Sequence, residues 1–275
     1  MVETRPCLRE TMDALGMRLV DELTRVWQYI RLLILISWFH LFKLMGNVID
    51  RREGVIEQHI AKLMSRRILE VLRASVHVEG EEHMRNLEDY AVVANHLSYL
   101  DWVVVLAHMP KPVCFIAKRI VVLMPVFGSY MRNRGVLIDR RKHQNARAII
   151  RNASRATEHP LMIFPEGTRS PDGKLQKFKR AGIRTLADEG LKLLPVVLLG
   201  TFEALGRDDR AIRYRKHLGL IILPPIDPAE LGSAEACREL ERVIHETYEL
   251  RRHEFGGPAQ LERLHSRRRR LRTMG

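Results

Sequence analysis

Short apolar runs alternate along the chain with longer stretches whose apolar positions recur every three or four residues. The runs fall at 75–78, 91–94, 113–117, 136–138, 161–164, 194–199 and 220–223, and each reads as a buried strand. Helical spacing fills most of the gaps, at 101–108, 119–131, 141–158 and 178–189, with a further helix at 229–250. Upstream, 55–73 carries Ile60, Leu63, Met64, Ile68 and Leu72 on one helical face. Strands and helices in alternation predict an α/β fold: a mostly parallel sheet flanked by helices. Pro224, Pro225 and Pro228 mark the close of this alternation before the last helix.

The first long apolar run has a different character. Residues 32–42 (LLILISWFHLF) would cover roughly 16 Å as a helix, about half of a hydrocarbon core. Lengthening the run to 30–49 brings in Arg31, His40, Lys43 and Asn47, the last three on one face opposite Leu33, Leu35 and Phe42. That pattern predicts a helix lying in the membrane interface, with Trp27, Tyr29 and Trp38 at headgroup level. A buried core helix and a tilted single span are the other readings of the run. No cleavable signal is expected in 1–21, where charges of both signs interrupt any apolar core. The chain thus divides into an N-terminal membrane-associating helical region (1–73), an α/β domain (74–250) and a basic tail (251–275).

At 275 residues, 46% hydrophobic and 29% charged, the composition suits a folded core and excludes disordered or collagen-like chains. Lys and Arg outnumber Asp and Glu by 46 to 33, a net charge of +13, so the surface attracts polyanions: nucleic acid, anionic lipid or a phosphorylated substrate. Aromatic residues are only 6% and no nucleic-acid-binding motif is present, so no nucleic-acid partner is expected. Cys7, Cys114 and Cys237 lie far apart without CxxC spacing, which predicts neither a metal site nor a disulfide framework and favours a reducing compartment. From Arg251 onward eight Arg face two Glu. Such a tail is either a solvated extension or a grip on anionic headgroups.

Two polar clusters each follow an apolar run. Asn95-His96-Leu97-Ser98-Tyr99-Leu100-Asp101 leads from a strand into a helix, at the carboxyl edge where open α/β sheets hold ligands. A carboxylate five residues beyond a histidine can orient its ring and support the imidazolium, leaving the other nitrogen to take a proton. Ser98-x-x-Asp101 also resembles a helix capping box, and both readings stand. Phe164-Pro165-Glu166-Gly167-Thr168-Arg169-Ser170 follows the strand at 161–164. Gly167 permits close backbone approach, Thr168 brings a hydroxyl, and the Arg169 fork matches a phosphate. An anion cradle and a plain turn with an exposed ion pair are its two readings.

Together these clusters resemble the signature motifs of the glycerolipid acyltransferases that include 1-acylglycerol-3-phosphate acyltransferase. Asn95-His96-x-Ser98-x-x-Asp101 is similar to their NHxSxxD motif, and residues 164–169 to FPEGTR. Weaker elements are Ile138-Asp139-Arg140, Pro195-Val196-Val197 and Lys118, and the likeness covers about 75–225. One departure is Arg134 where the family's second motif usually has glycine, with Gly135 one later.

The resemblance implies a glycerol-3-phosphate acyltransferase-like fold, with transfer of a fatty acyl group from acyl-CoA or acyl carrier protein to the sn-2 hydroxyl of 1-acylglycerol-3-phosphate. His96 would be the general base and Asp101 its orienting partner. Glu166, Gly167, Thr168 and Arg169 would bind the acceptor, joined by Asn95, Ser98, Lys118 and Arg140. It implies no metal and no cofactor beyond the donor cosubstrate. The expected partners are the lysophospholipid acceptor, an anionic membrane surface and an acidic acyl carrier protein, with the catalytic domain facing the cytoplasm. Another lysolipid acceptor is the alternative within the chemistry, and an inactive membrane-bound lipid-binding scaffold the alternative outside it. A serine hydrolase would need a GxSxG elbow, which the sequence lacks.

Overall fold

The computed structural model describes residues 55–124, 127–138, 143–209 and 211–257, with Val26, Trp27, Ile30, Arg31, Leu33, Ile34 and Ser37 upstream. After helix α1 (Val55–Val71) come β1 (Ser75–Glu79), β2 (Tyr90–Ala94), α2 (Asp101–His108), β3 (Cys114–Lys118), α3 (Phe127–Arg134) and β4 (Val136–Ile138). The chain continues through α4 (His143–Ala156), β5 (Leu161–Ile163), α5 (Arg180–Asp188), β6 (Lys192–Leu199) and α6 (Thr201–Ala204). It ends with β7 (His217–Ile222), α7 (Pro228–Leu231) and α8 (Ser233–Arg251).

The seven strands form one sheet in the order β1-β7-β6-β2-β5-β3-β4. Every neighbouring pair is parallel except β6 with β7, so β1 and β7 run against the other five. Side chains alternate across the central strands. Val92 and Ala94 face a core shared with α1, α2 and α3, while Ala91 and Val93 face one shared with α4, α5 and α8. All five β2 residues are buried, which is why this strand reads as a continuous apolar run rather than an alternating one.

Three boundaries differ from the sequence reading. Helix α1 sinks Ala61, Met64, Ile68, Leu69 and Leu72 into the sheet's core, so the compact unit reaches back to Val55 instead of opening at 74. Phe255 is buried against the other face and the Gly256 N–H donates to the His217 carbonyl at 2.9 Å, which carries the unit past 250. The stretch 119–131, expected as one helix, divides into a 3-10 turn at Arg119–Leu123 and α3. Pro125 explains the break, because the residue before a proline is driven out of the helical region, and Met124 is extended at φ −69°, ψ 133°. Gly135 closes α3, its N–H donating to the Met131 carbonyl.

Most of the run at 32–42 and the tail from 258 lie outside the described residues. Among the described residues no helix is long and apolar enough to cross a membrane. Val26, Trp27, Ile30, Leu33 and Ile34 occupy helical positions and are exposed.

Candidate active site

Strands β2 and β5 are parallel neighbours, with Val93 level with Ile163, so the segments that follow them emerge side by side at one sheet edge. This register brings the two clusters together. His96 Nδ1 lies 2.8 Å from Asp101 Oδ2, and the same oxygen accepts the backbone N–H groups of Leu97 at 2.7 Å and Ser98 at 2.9 Å. Asp101 opens α2, with its side chain fully buried. No side chain caps α2, whose N-cap is Leu100, so the capping box does not form as such; instead the Asp101 carboxylate ties down the turn before the helix while holding the ring. Because that carboxylate accepts, Nδ1 carries the hydrogen and Nε2 is the nitrogen left for the cavities that the imidazole borders.

The second cluster braces the first. Phe164 stacks on the His96 ring with centroids 4.2 Å apart and planes 16° from parallel. The His96 N–H donates to Glu166 Oε1 at 2.9 Å, and the His96 carbonyl accepts from Ser170 N at 3.0 Å. Gly167 makes the turn possible, with φ of +70° and its N–H on the Phe164 carbonyl.

Three residues expected to bind substrate instead hold the scaffold. Asn95, with no exposed surface, spends both ends of its amide on Leu198, donating to the carbonyl at 2.9 Å and accepting from the N–H at 2.7 Å. It thereby continues the β2 to β6 pairing one step past the end of β2. Ser98 is equally buried; its hydroxyl donates to the Leu205 carbonyl at 2.6 Å and accepts from Leu100 N at 3.0 Å. Glu166 is 1% exposed and faces backbone N–H groups, with Oε2 toward Gln176 N at 3.4 Å. Burial pushes its carboxyl up to about 8, against the pull of those N–H groups and of Lys179.

The other expected residues do meet open space. His96 stands between two cavities of about 310 and 380 Å³ that share it, Lys118, Phe164 and Gly167. The first is walled by Trp102, Phe115 and Phe127 and reaches Thr168 and Arg169. The second runs between the sheet and α4 and α5, past Ile138, Ile150, Ile163 and Gly182. The Arg169 guanidinium sits over the Tyr99 ring, 3.3 Å from its centroid, and donates to the Arg207 carbonyl at 3.4 Å. Arg140 lies outside the described residues. Among the described residues no cluster of three or more His, Cys, Asp and Glu could hold a metal ion.

Sequence reasoning passed over Tyr99, Trp102, Phe164 and Ser170 as working parts. Tyr99 stands between Ser98 and Asp101, and an aromatic between two functional polar residues was the available signal; Trp102 directly follows Asp101. Nothing in the sequence marked Ser170 N as a partner for the His96 carbonyl, since that contact needs the strand pairing.

The α/β sheet thus carries an imidazole–carboxylate pair at its carboxyl edge, between two cavities lined largely by apolar side chains, with the Arg169 guanidinium on the rim of one. Residues 75–199 match the family model described as Acyltransferase. The chain is 30% identical over 194 residues to a 1-acyl-sn-glycerol-3-phosphate acyltransferase of Cocos nucifera, covering 69% of this chain and 58% of that protein. It is 29% identical over 169 residues to the enzyme of that name from Helicobacter pylori, covering 60% of this chain and 70% of that one. The crystal structure of the 1-acyl-sn-glycerophosphate acyltransferase PlsC from Thermotoga maritima superimposes with a TM-score of 0.64 at 26% identity, over 81% of this chain and 96% of that one. Over residues 75–199 the chain is thus similar to the glycerolipid acyltransferases. It spans 58% and 49% of the coconut protein and of a chloroplastic relative from Arabidopsis thaliana.

Proposed function

We propose that the protein transfers a fatty acyl group from a thioester, acyl-CoA or acyl carrier protein, to the sn-2 hydroxyl of 1-acylglycerol-3-phosphate, giving phosphatidate. The observation that carries this reading is the His96–Asp101 pair opening between two apolar cavities, with Arg169 on the rim of one. Nε2 of His96 takes the acceptor's hydroxyl proton as the oxygen attacks the thioester carbonyl. The C–O bond forms, the C–S bond breaks, and the proton passes to the departing thiolate. Asp101 keeps the ring in the tautomer this needs and supports the transient imidazolium.

Arg169 offers its fork to the acceptor phosphate, with Tyr99 beneath limiting its freedom, and Lys118 adds positive charge at the same mouth. Both substrates carry long apolar chains, and two cavities meeting at one base suit their juxtaposition, which supplies the proximity part of the rate. The exposed apolar positions between Val26 and Ile34 support membrane association of the N-terminal region.

The test is an acyl-transfer assay on purified protein, offering lysophosphatidate, other lysophospholipids and glycerol-3-phosphate with each donor. Phosphatidate formation that drops about 10²- to 10⁴-fold in His96→Ala is the expected result. Turnover of a different lysolipid alone would reassign the acceptor. Absence of turnover with every pair would leave a lipid-binding scaffold.

A further inference from the structure

We infer that the turn Arg119–Leu123 is a membrane-docking element, inserting Ile120 and Leu123 into an anionic bilayer at the mouth of the active site. The inference builds on the reading that the acceptor is a membrane lipid, and it concerns a surface separate from the N-terminal region.

Three observations carry it. First, Ile120 and Leu123 are 64% and 74% exposed, on a short turn otherwise held to the core. Val121, Val122 and Met124 pack inward against the α1–α3 side of the sheet. Second, the backbone of the turn is held tightly against its neighbour. Helix α3 presses on it so closely that a Cβ on Gly128 would lie 2.2 Å from the Val122 carbonyl oxygen, and the Gly128 N–H donates to the Met124 carbonyl. Two large aliphatic side chains exposed on a turn whose other residues pack against the core suit an interfacial contact. Third, the place is right. The turn leaves the carboxyl end of β3, on the same sheet edge as His96, and Val121 lines both cavities while Ile120 lines the one that reaches Arg169. Exposed Lys118 and Arg119 flank the apolar pair, a charge sign that suits anionic headgroups.

A bilayer meeting this turn would deliver the acceptor's hydroxyl and phosphate sideways to His96 and Arg169, without lifting its chain into water. The other exposed leucine suited to comparison is Leu231 on α7. Its element follows Ile226, which pairs with Leu193 at the amino end of β6, so it sits at the opposite sheet edge.

The experiment places an environment-sensitive fluorophore on single cysteines, Ile120→Cys, Leu123→Cys or Leu231→Cys, in the full chain. Cys7→Ser is the background, because Cys114 and Cys237 are buried. The vesicles are phosphatidylcholine with about a third phosphatidylglycerol. Labels at 120 and 123 are expected to shift to the blue and be quenched by brominated lipid, while the label at 231 stays aqueous. Labels at 120 and 123 that remain aqueous on vesicle-bound protein, or a chain that does not bind the vesicles, would overturn the inference. A blue shift at 123 without vesicles would assign the turn to a second copy of the chain and overturn it equally.

This readout needs no turnover, so it stands or falls separately from the proposed reaction. Where turnover is measured, Leu123→Ser should slow acylation of bilayer-held lysophosphatidate about tenfold. It should leave a water-soluble short-chain acceptor unaffected. Equal losses on both acceptors would reduce the turn to a structural part.

Discussion

Glu166 gives the sharpest test of how the site is built. Its carboxyl is buried and raised to about 8, whereas an unfolded chain would titrate it near 4.5. Between those values the folded protein holds a proton that the unfolded chain releases, so stability is fully present below pH 4.5 and is lost as pH rises toward 8. At about 1.4 kcal/mol per unit, the contribution across the window is on the order of 5 kcal/mol. Glu166→Gln removes the titration while keeping an amide oxygen for the His96 N–H, at a cost of about 1 kcal/mol for the altered contact with Gln176 N. Urea denaturation in detergent, followed by circular dichroism from pH 5 to 9, would measure both proteins. The wild type should lose several kcal/mol relative to the variant between pH 5 and 8, and the variant should be the more stable at pH 9. Parallel curves would refute the reasoning, showing that Glu166 is ionised in the folded protein and that its burial is compensated by contacts other than those described.

Other consequences are open to measurement. Asn95→Ala leaves the buried N–H and carbonyl of Leu198 without their side-chain partner, and should lower the unfolding free energy by about 2–6 kcal/mol; an unchanged urea midpoint with a raised KM would return Asn95 to substrate binding. Arg169→Lys keeps the charge but loses the fork and the stacking on Tyr99, so KM for a phosphate-bearing acceptor should rise about tenfold with little change in melting temperature. Asp101→Asn offers an amide where the ring needs an acceptor; kcat should fall about 10²- to 10⁴-fold, and kcat retained near wild type would mean that the carboxylate serves only to hold the turn at Leu97 and Ser98.

The sequence carried the sheet edge and the dyad because both are local. A polar cluster directly after an apolar run lies at a strand end, and five residues from His96 to Asp101 span one turn and a helix start. The roles of Asn95, Ser98 and Glu166 were not legible, since their partners Leu198, Leu205 and the His96 backbone are distant along the chain and become neighbours only through strand pairing. Along a motif, a side chain that holds a loop and one that holds a ligand look alike. The reversal of β7 was hidden for a related reason: a buried strand has the same apolar composition in either direction. Pro125, by contrast, was in plain view as a helix breaker inside 119–131, and periodicity outweighed it there.

Phe164, Glu166 and Ser170 grip His96 by its ring, its N–H and its carbonyl, all from a segment some seventy residues away. The placement of His96 is thus the work of two stretches of chain, and neither is a portable cassette. Grafting residues 95–101 onto another parallel sheet would transplant an imidazole with its aspartate but without the clamp that aims it. A designer borrowing this chemistry would have to import the adjacent strand and the loop through Gln176 as a unit. For the same reason, a loop exchange between homologues that replaces one of the two segments alone should yield folded, poorly active chimeras, whereas exchanging both together should restore turnover.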